Sequence, residues 1–170
     1  MRLRLELCDI DTQLKIKGWH ITRKNEDIYD NWCCVEISLV SRQINIHHDG
    51  SILMSDEVSE ICDAPEELLN GKTDTEFSVD FIEPDLNFKF YPAEKIENTF
   101  GELKINLWGK GVLSGNSLTV TLYKNDLFDL RTYLKYVTKR ISKDDPTITE
   151  LINKGVFLPE YAFEYNINSI

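Results

Sequence analysis

Residues 118–142 read LTVTLYKNDLFDLRTYLKYVTKRIS, and this stretch sets the fold class. Leu118, Val120 and Leu122 alternate with polar residues, which is typical of a strand with one buried face. Apolar residues then recur at spacings of three and four, at Leu127, Leu130, Leu134, Val137 and Ile141. That spacing predicts one long C-terminal amphipathic helix at about 126–142, with Asn125 or Asp126 as its N-cap.

The same alternation appears in six other stretches, which are residues 3–8, 14–17, 32–40, 76–82, 86–91 and 102–108. Asp49-Gly50 lies between residues 43–48 and 51–54 and suits a type I′ hairpin turn. A shorter helix is predicted at about 55–70, capped by Ser55 or Asp56 and interrupted at Pro65. Together these patterns predict an α+β fold in which both helices pack on an antiparallel meander sheet of about 6–8 strands.

A length of 170 residues suits one domain, 1–170, with residues 143–170 as a C-terminal extension packed on it. The extension has a short possible helix at 147–154 and an aromatic tail that could pack on the domain or dock as a strand. The chain lacks an apolar run of about 20 residues for a membrane span, and its start lacks an apolar secretory core. A cytoplasmic protein is therefore expected, with Cys8, Cys33, Cys34 and Cys62 reduced.

A net charge of −10 argues against nucleic acid and anionic membrane as partners and favours a basic protein. Between Asp56 and Asp85 the chain has eleven acidic residues and a single basic residue, Lys72. Ten of these acidic residues are the candidate partner-binding residues: Asp56, Glu57, Glu60, Asp63, Glu66, Glu67, Asp74, Asp80, Glu83 and Asp85. The alternative is a solvated helix face followed by polar loops. Arg131, Lys135 and Lys139, spaced four apart, are interpreted as a solvated stripe.

Motifs for catalysis or cofactor binding are missing from the sequence. Gly109, Gly111 and Gly115 lack the strand–loop–helix context of a phosphate-binding loop and are interpreted as hairpin residues. His47 and His48 follow a strand that contains Cys33 and Cys34, so a metal site is conceivable, but the spacings typical of zinc sites are missing. We therefore expect no enzyme activity, no metal and no cofactor.

Three segments together resemble the WapI-like bacterial immunity proteins over about residues 27–142. They are Asp30-Asn31-Trp32 opening a strand, residues 81–86 (FIEPDL) followed by Phe88, and the strand 118–122 leading into Leu127, Leu130, Tyr133 and Leu134. The resemblance implies a cytoplasmic, non-catalytic inhibitor that binds the C-terminal domain of a polymorphic toxin, often a nuclease. It assigns no binding residues, because the matching positions are core and turn positions.

Three hypotheses follow. The first is an immunity protein, monomeric or weakly dimeric, that blocks a basic toxin domain, expected to be a nuclease, through an acidic surface. The second is a non-catalytic structural or regulatory domain with an unknown partner. The third is a small metal-dependent enzyme that uses His47, His48 and a cysteine.

Overall fold

Two antiparallel sheets and three short helices make up the fold in a computed structural model that describes residues 1–21, 28–70, 75–91, 99–109 and 112–159. The strands are β1 (Arg2–Leu7), β2 (Ile10–Lys17), β3 (Trp32–Val40), β4 (Asn45–Met54), β5 (Phe77–Asp80), β6 (Leu86–Phe90), β7 (Thr99–Gly109), β8 (Val112–Tyr123) and β9 (Phe157–Leu158). The helices are α1 (Ser55–Leu69), α2 (Lys124–Val137) and α3 (Pro146–Asn153), and a 3₁₀ turn spans Ile28–Asn31. The predicted α+β class with antiparallel sheets is confirmed.

The first sheet has the strand order β4-β3-β2-β1-β9 and contains the predicted hairpin of β1 and β2. Cys33 is buried and Cys34 exposed, as neighbours on a strand should be, and all four cysteines are free. The predicted turn at Asp49-Gly50 is wrong. Asp49 and Gly50 pair with Glu36 and Val35 inside a continuous β4, because pairing along the whole of β3 outweighs the local turn preference of the dipeptide.

The second sheet has the order β5-β6-β7-β8, so the predicted single sheet is wrong. Strands that follow one another in sequence pair as a meander in each sheet, but α1 separates β4 from β5 and the chain starts a new sheet there. The inward positions Phe88, Phe90, Ile105, Val120 and Leu122 are buried as predicted. Their burial confirms the alternation that defined these strands.

Helix α1 begins at Ser55, and Met54 is its N-cap residue. The Glu57 carboxylate accepts a hydrogen bond from the Met54 backbone N–H at 2.6 Å. The predicted caps Ser55 and Asp56 are therefore inside the helix. Pro65 does not interrupt α1, which continues to Leu69. Burial of apolar residues on both sides of the proline, including Ile61 and Leu68, offsets the roughly 3 kcal/mol that an internal proline costs.

The long helix predicted for 126–142 is also wrong, because α2 ends at Val137. Lys139 has a φ of 57°, which helical geometry does not allow, and the separate helix α3 starts only at Pro146. Ile141 continues the apolar spacing of three and four residues beyond Val137, so the predicted helix was too long at its C-terminal end. Asp126 accepts from the Tyr123 N–H at 2.9 Å and so caps α2 from inside its first turn.

One buried cluster joins the two sheets and the three helices. Tyr133 of α2 is fully buried at its centre, where its hydroxyl accepts a hydrogen bond from the Ile16 N–H of β2 at 2.9 Å. Phe157 of β9 packs edge-on against Tyr133, with ring centroids 5.8 Å apart, and pairs with Leu3. The described part of the C-terminal extension thus contains both a helix and a docking strand.

Candidate interaction surface

Acidic side chains follow the outer face of α1. Asp56, Glu60, Asp63 and Glu67 are exposed, and their spacing of four, three and four residues aligns them in one stripe along the helix. The opposite face buries Val58, Ile61, Leu68 and other apolar residues against the core. The amphipathic pattern of α1 therefore fixes the direction in which these carboxylates point.

Two other segments lie beside the start of α1, one on each side of the stripe. Trp19 donates from its indole N–H to the Ser55 carbonyl at 3.0 Å, and the His20 N–H donates to Ser55 Oγ at 3.3 Å. On the other side, Glu57 accepts from the Ile82 N–H at 2.8 Å. Glu57 therefore connects α1 to the loop before β6 as well as capping the helix.

Exposed isoleucines occur in both of these segments. Ile21 is 77% exposed and Ile82 is 61% exposed, the two highest values among the large hydrophobic residues of the described chain. We define the α1 surface as Ile21, Asp56, Glu60, Glu67 and Ile82. Apolar side chains beside charged ones are suited to binding a protein, since apolar contacts supply affinity and charges supply specificity.

Some of the predicted acidic residues are neutralised by α2 and the turn after it. Arg140 binds Asp63 through both guanidinium Nη atoms, and Lys135 Nζ lies 2.6 Å from Glu66 Oε2. The hydrogen bond from Lys135 lowers the pKa of Glu66. Glu60 and Glu67 have no hydrogen bond or ion pair with any described residue.

The remaining predicted residues contribute less to this surface. Asp85 is only 4% exposed, and its Oδ1 lies 2.8 Å from His48 Nε2 of the other sheet. Glu83 is partly exposed next to Ile82, and Asp56 accepts from the Asn31 side chain at 3.0 Å. Asp74 lies outside the described residues, as does the side chain of Asp80.

The predicted solvated stripe of Arg131, Lys135 and Lys139 divides into three environments. Lys135 pairs with Glu66, while the Arg131 guanidinium lies 5.0 Å from the centre of the Phe128 ring. Lys139 lies beyond the end of α2. Of these three residues, only Lys139 lines a cleft between the end of β2 and the end of α2.

The histidines and cysteines considered for a metal site are spread over β3 and β4. Cys34, His47 and His48 line a shallow depression, while Cys33 is buried on the other face of β3. In the part of the chain that the structure describes, no three His, Cys, Asp or Glu residues are close enough to hold a metal ion. None of the helices among those residues combines the length and apolarity needed to cross a membrane.

The family model of the WapI-like immunity proteins matches residues 9–142, which is most of the chain. The chain belongs to the WapI-like immunity protein family. The matched range runs from the turn between β1 and β2 to the turn after α2, so it contains the whole α1 surface. The resemblance inferred from the sequence is therefore confirmed.

Other comparisons add little to the assignment of this WapI-like protein. No curated protein matches it. Among solved structures it is similar to the plant transcriptional regulator PBF-2, with a TM-score of 0.45 and 10% sequence identity over 98% of this chain and 93% of that one. A likeness this weak supports no argument about function.

The sequence of this WapI-like protein indicated the acidic stripe but not the apolar residues beside it. Ile21 precedes a polar segment, and Ile82 follows the partly buried Phe81 in a loop. A weak signal was available for Ile21, which is followed by a polar segment, whereas Ile82 directly follows Phe81 and could not be told from a buried residue by sequence. Only the hydrogen bonds to Ser55 and Glu57 reveal that the two isoleucines flank the same helix.

Proposed function

We propose that this protein is a toxin-neutralising immunity protein, which acts in the cytoplasm by binding and blocking a toxin domain rather than by catalysis. The family match over residues 9–142 is the observation that carries this proposal. Immunity by direct binding needs a stable surface rather than a catalytic pocket, and the α1 surface is built from three segments held by hydrogen bonds.

The α1 surface is the proposed contact with the toxin. Glu60 and Glu67 lie on a helix whose inner face is anchored in the core, so their position is fixed before the toxin arrives. Preorganised groups lose less conformational freedom on binding, which strengthens a complex of given area. Ile21 and Ile82 supply apolar area that exposed carboxylates alone lack.

A basic nuclease domain is the proposed target. A protein that holds nucleic acid neutralises phosphates with Lys and Arg, so its active face is positively charged. The acidic stripe of α1 and the net charge of −10 complement such a face and increase the rate of association. Occupying the basic face would exclude the nucleic acid from the toxin.

Titration calorimetry and gel filtration with a toxin domain found in the neighbouring genes of the same genome test the proposal. We expect a tight 1:1 complex that weakens as salt is raised. Reversing two charges in Glu60→Lys/Glu67→Lys should weaken binding by roughly 100-fold, mostly through slower association at low salt. Ile82→Ala should weaken it by roughly tenfold or more, mostly through faster dissociation.

Matched control variants distinguish a failure of the proposed immunity function from a wrong choice of the α1 surface as the binding site. Glu6→Lys/Asp144→Lys makes the same change of charge at exposed positions away from α1, and Leu113→Ala removes an exposed apolar side chain from β8. Absence of any complex with the wild-type protein would overturn the immunity function. A complex that tolerates the α1 variants as well as the controls would overturn only the choice of surface.

A further inference from the structure

A cleft of about 540 Å³ lies between the end of β2 and the end of α2. One wall is formed by residues 15–19 and the other by residues 136–143. Gly18, with a φ of 84°, turns the chain after β2, and Lys139, with a φ of 57°, turns it after α2. The backbone N–H groups of Arg140 and Ile141 donate to the Lys135 carbonyl at 2.8 and 3.2 Å, so the second wall is well ordered.

The cleft is strongly basic, although the protein as a whole is acidic. Its charged lining residues are Lys15, Lys17, Lys139, Arg140 and Lys143, and no acidic side chain is among the described residues that line it. These five cations come from two segments that are distant in sequence. The fold therefore concentrates about a quarter of all 19 Lys and Arg residues around one cleft.

Nearby carboxylates neutralise only part of this charge. Lys17 Nζ lies 2.5 Å from Glu36 Oε1, and Glu36 is shared with Arg2 at 2.7 Å. Arg140 pairs with Asp63 of α1. Lys139 and Lys143 have no hydrogen bond or ion pair with any described residue, so at least two cations are available to an incoming anion.

The helix dipole explains only some of these cations. The negative end of α2 favours Lys139 and Arg140, which lie just past its last turn. It gives no reason for Lys15 and Lys17, which come from β2, nor for Lys143, which lies further along the chain. The carboxylates of Glu36 and Asp63 offset Lys17 and Arg140, but Lys139 and Lys143 pair with no described residue, and a bound anion would offset their repulsion.

We propose that this cleft binds an organic polyphosphate, a small molecule with two or more phosphate groups joined to an apolar or aromatic part. Two adjacent phosphates place several negative charges in a small volume, which matches the density of cations here better than a peptide carboxylate does. The apolar side chains of Trp19, Tyr136 and Ile141 line the same cleft and suit the rest of the ligand. The volume lies within the roughly 300–1,000 Å³ of small-molecule sites.

Calorimetry on the isolated protein, with ATP and inorganic tripolyphosphate in separate titrations without divalent metal, tests this site. We expect ATP to bind at a 1:1 ratio and more tightly than tripolyphosphate, because only ATP has an aromatic part to contact the apolar lining. Lys139→Gln/Lys143→Gln should weaken ATP binding by roughly 10- to 100-fold. These lysines are exposed and pair with no described residue, so the variant should remain folded.

Lys104→Gln/Lys124→Gln is the matched control, because it removes two exposed positive charges outside the cleft. Equal weakening by this control would show a general charge effect and overturn the site. So would no heat with either ligand, or equal affinity for both. If the protein binds no ATP but its complex with the toxin is lost in Lys139→Gln/Lys143→Gln, the cleft binds an acidic protein segment instead. Since the titration contains no toxin, its failure would leave the immunity function untouched.

Discussion

The α1 surface and the basic cleft lie next to one another and have opposite charge. The first presents exposed carboxylates beside exposed isoleucines, whereas the second gathers five cations over an apolar lining. Arg140 of the cleft pairs with Asp63, which lies on the same helix as the α1 surface. The net charge of −10 therefore does not predict the charge of each region, since a positive cleft lies beside the most acidic of the described helices.

The two regions also differ in how they are held together. The walls of the cleft are joined in the core, through the hydrogen bond from the Ile16 N–H to the Tyr133 hydroxyl. The α1 surface is held near the exterior, by Trp19 on one side and Glu57 on the other. Trp19 belongs to both regions, but the Tyr133 hydrogen bond holds only the cleft and Glu57 holds only the α1 surface, so a change at either should weaken one region more than the other.

The largest effect is expected from Tyr133→Phe, which leaves the buried Ile16 N–H without an acceptor. A buried donor without a partner costs about 1–3 kcal/mol, so the free energy of unfolding in urea should fall by that amount. The walls of the cleft should also separate, weakening ATP binding more than toxin binding. Tyr123→Phe serves as the control, because it removes the same hydroxyl from an exposed tyrosine that does not line the cleft. Equal loss of both binding activities would contradict the separation of the regions.

An intermediate effect is expected at Asp129, a half-buried carboxylate of α2 that belongs to neither region. Burial, followed by repulsion from Asp126, raises its pKa to about 6. The folded protein thus prefers the protonated form, and its stability falls as pH rises from about 4, the ordinary aspartate pKa, to about 6.

Asp129→Asn removes this pH dependence. Allowing for partial exposure, the variant should gain about 1 kcal/mol of stability at pH 7 and almost nothing near pH 3.5. Unfolding in urea at the two pH values measures the difference. A variant less stable than the wild type at pH 7 would show that the ionised Asp129 carboxylate stabilises the fold and would contradict its raised pKa.

The smallest effect is expected where the two regions meet. A double-mutant cycle of Asp63→Asn and Arg140→Gln should give a coupling energy of about 0.2–1 kcal/mol, since exposed ion pairs contribute little to stability. Arg140→Gln should also reduce ATP binding, whereas Asp63→Asn should increase it slightly by releasing Arg140. An Asp63→Asn variant with weaker ATP binding would contradict the assignment of Arg140 to the cleft.

Local patterns were sufficient to predict most of the strands and the class of fold. Alternation placed β3 at residues 32–40, because one buried face imposes a period of two. It could not divide the strands between two sheets, since pairing depends on where α1 directs the chain. The predicted Asp49-Gly50 turn was wrong because pairing along β3 outweighed the local turn preference. The predicted end of α2 was wrong because the backbone at Lys139 has a positive φ, which the apolar spacing does not reveal.

The candidate sites were predictable to different degrees. The acidic stripe lies on one helix, so its residues are neighbours in sequence and its charge is visible there. The cleft joins Lys17 of β2 to Lys139 beyond α2, and no local spacing indicates that these elements meet. Sequence reasoning accordingly found Glu60 and Glu67 and treated Lys139 as part of a solvated stripe.

The pairing of β9 with β1 has a consequence for synthesis on the ribosome. Leu3 is made long before Phe157, yet they are neighbours in the finished sheet. While the intervening chain is translated, the outer edge of β1 has no strand to pair with, and an open edge can recruit other chains. This part of the sheet therefore closes late, after almost everything between the two strands has emerged.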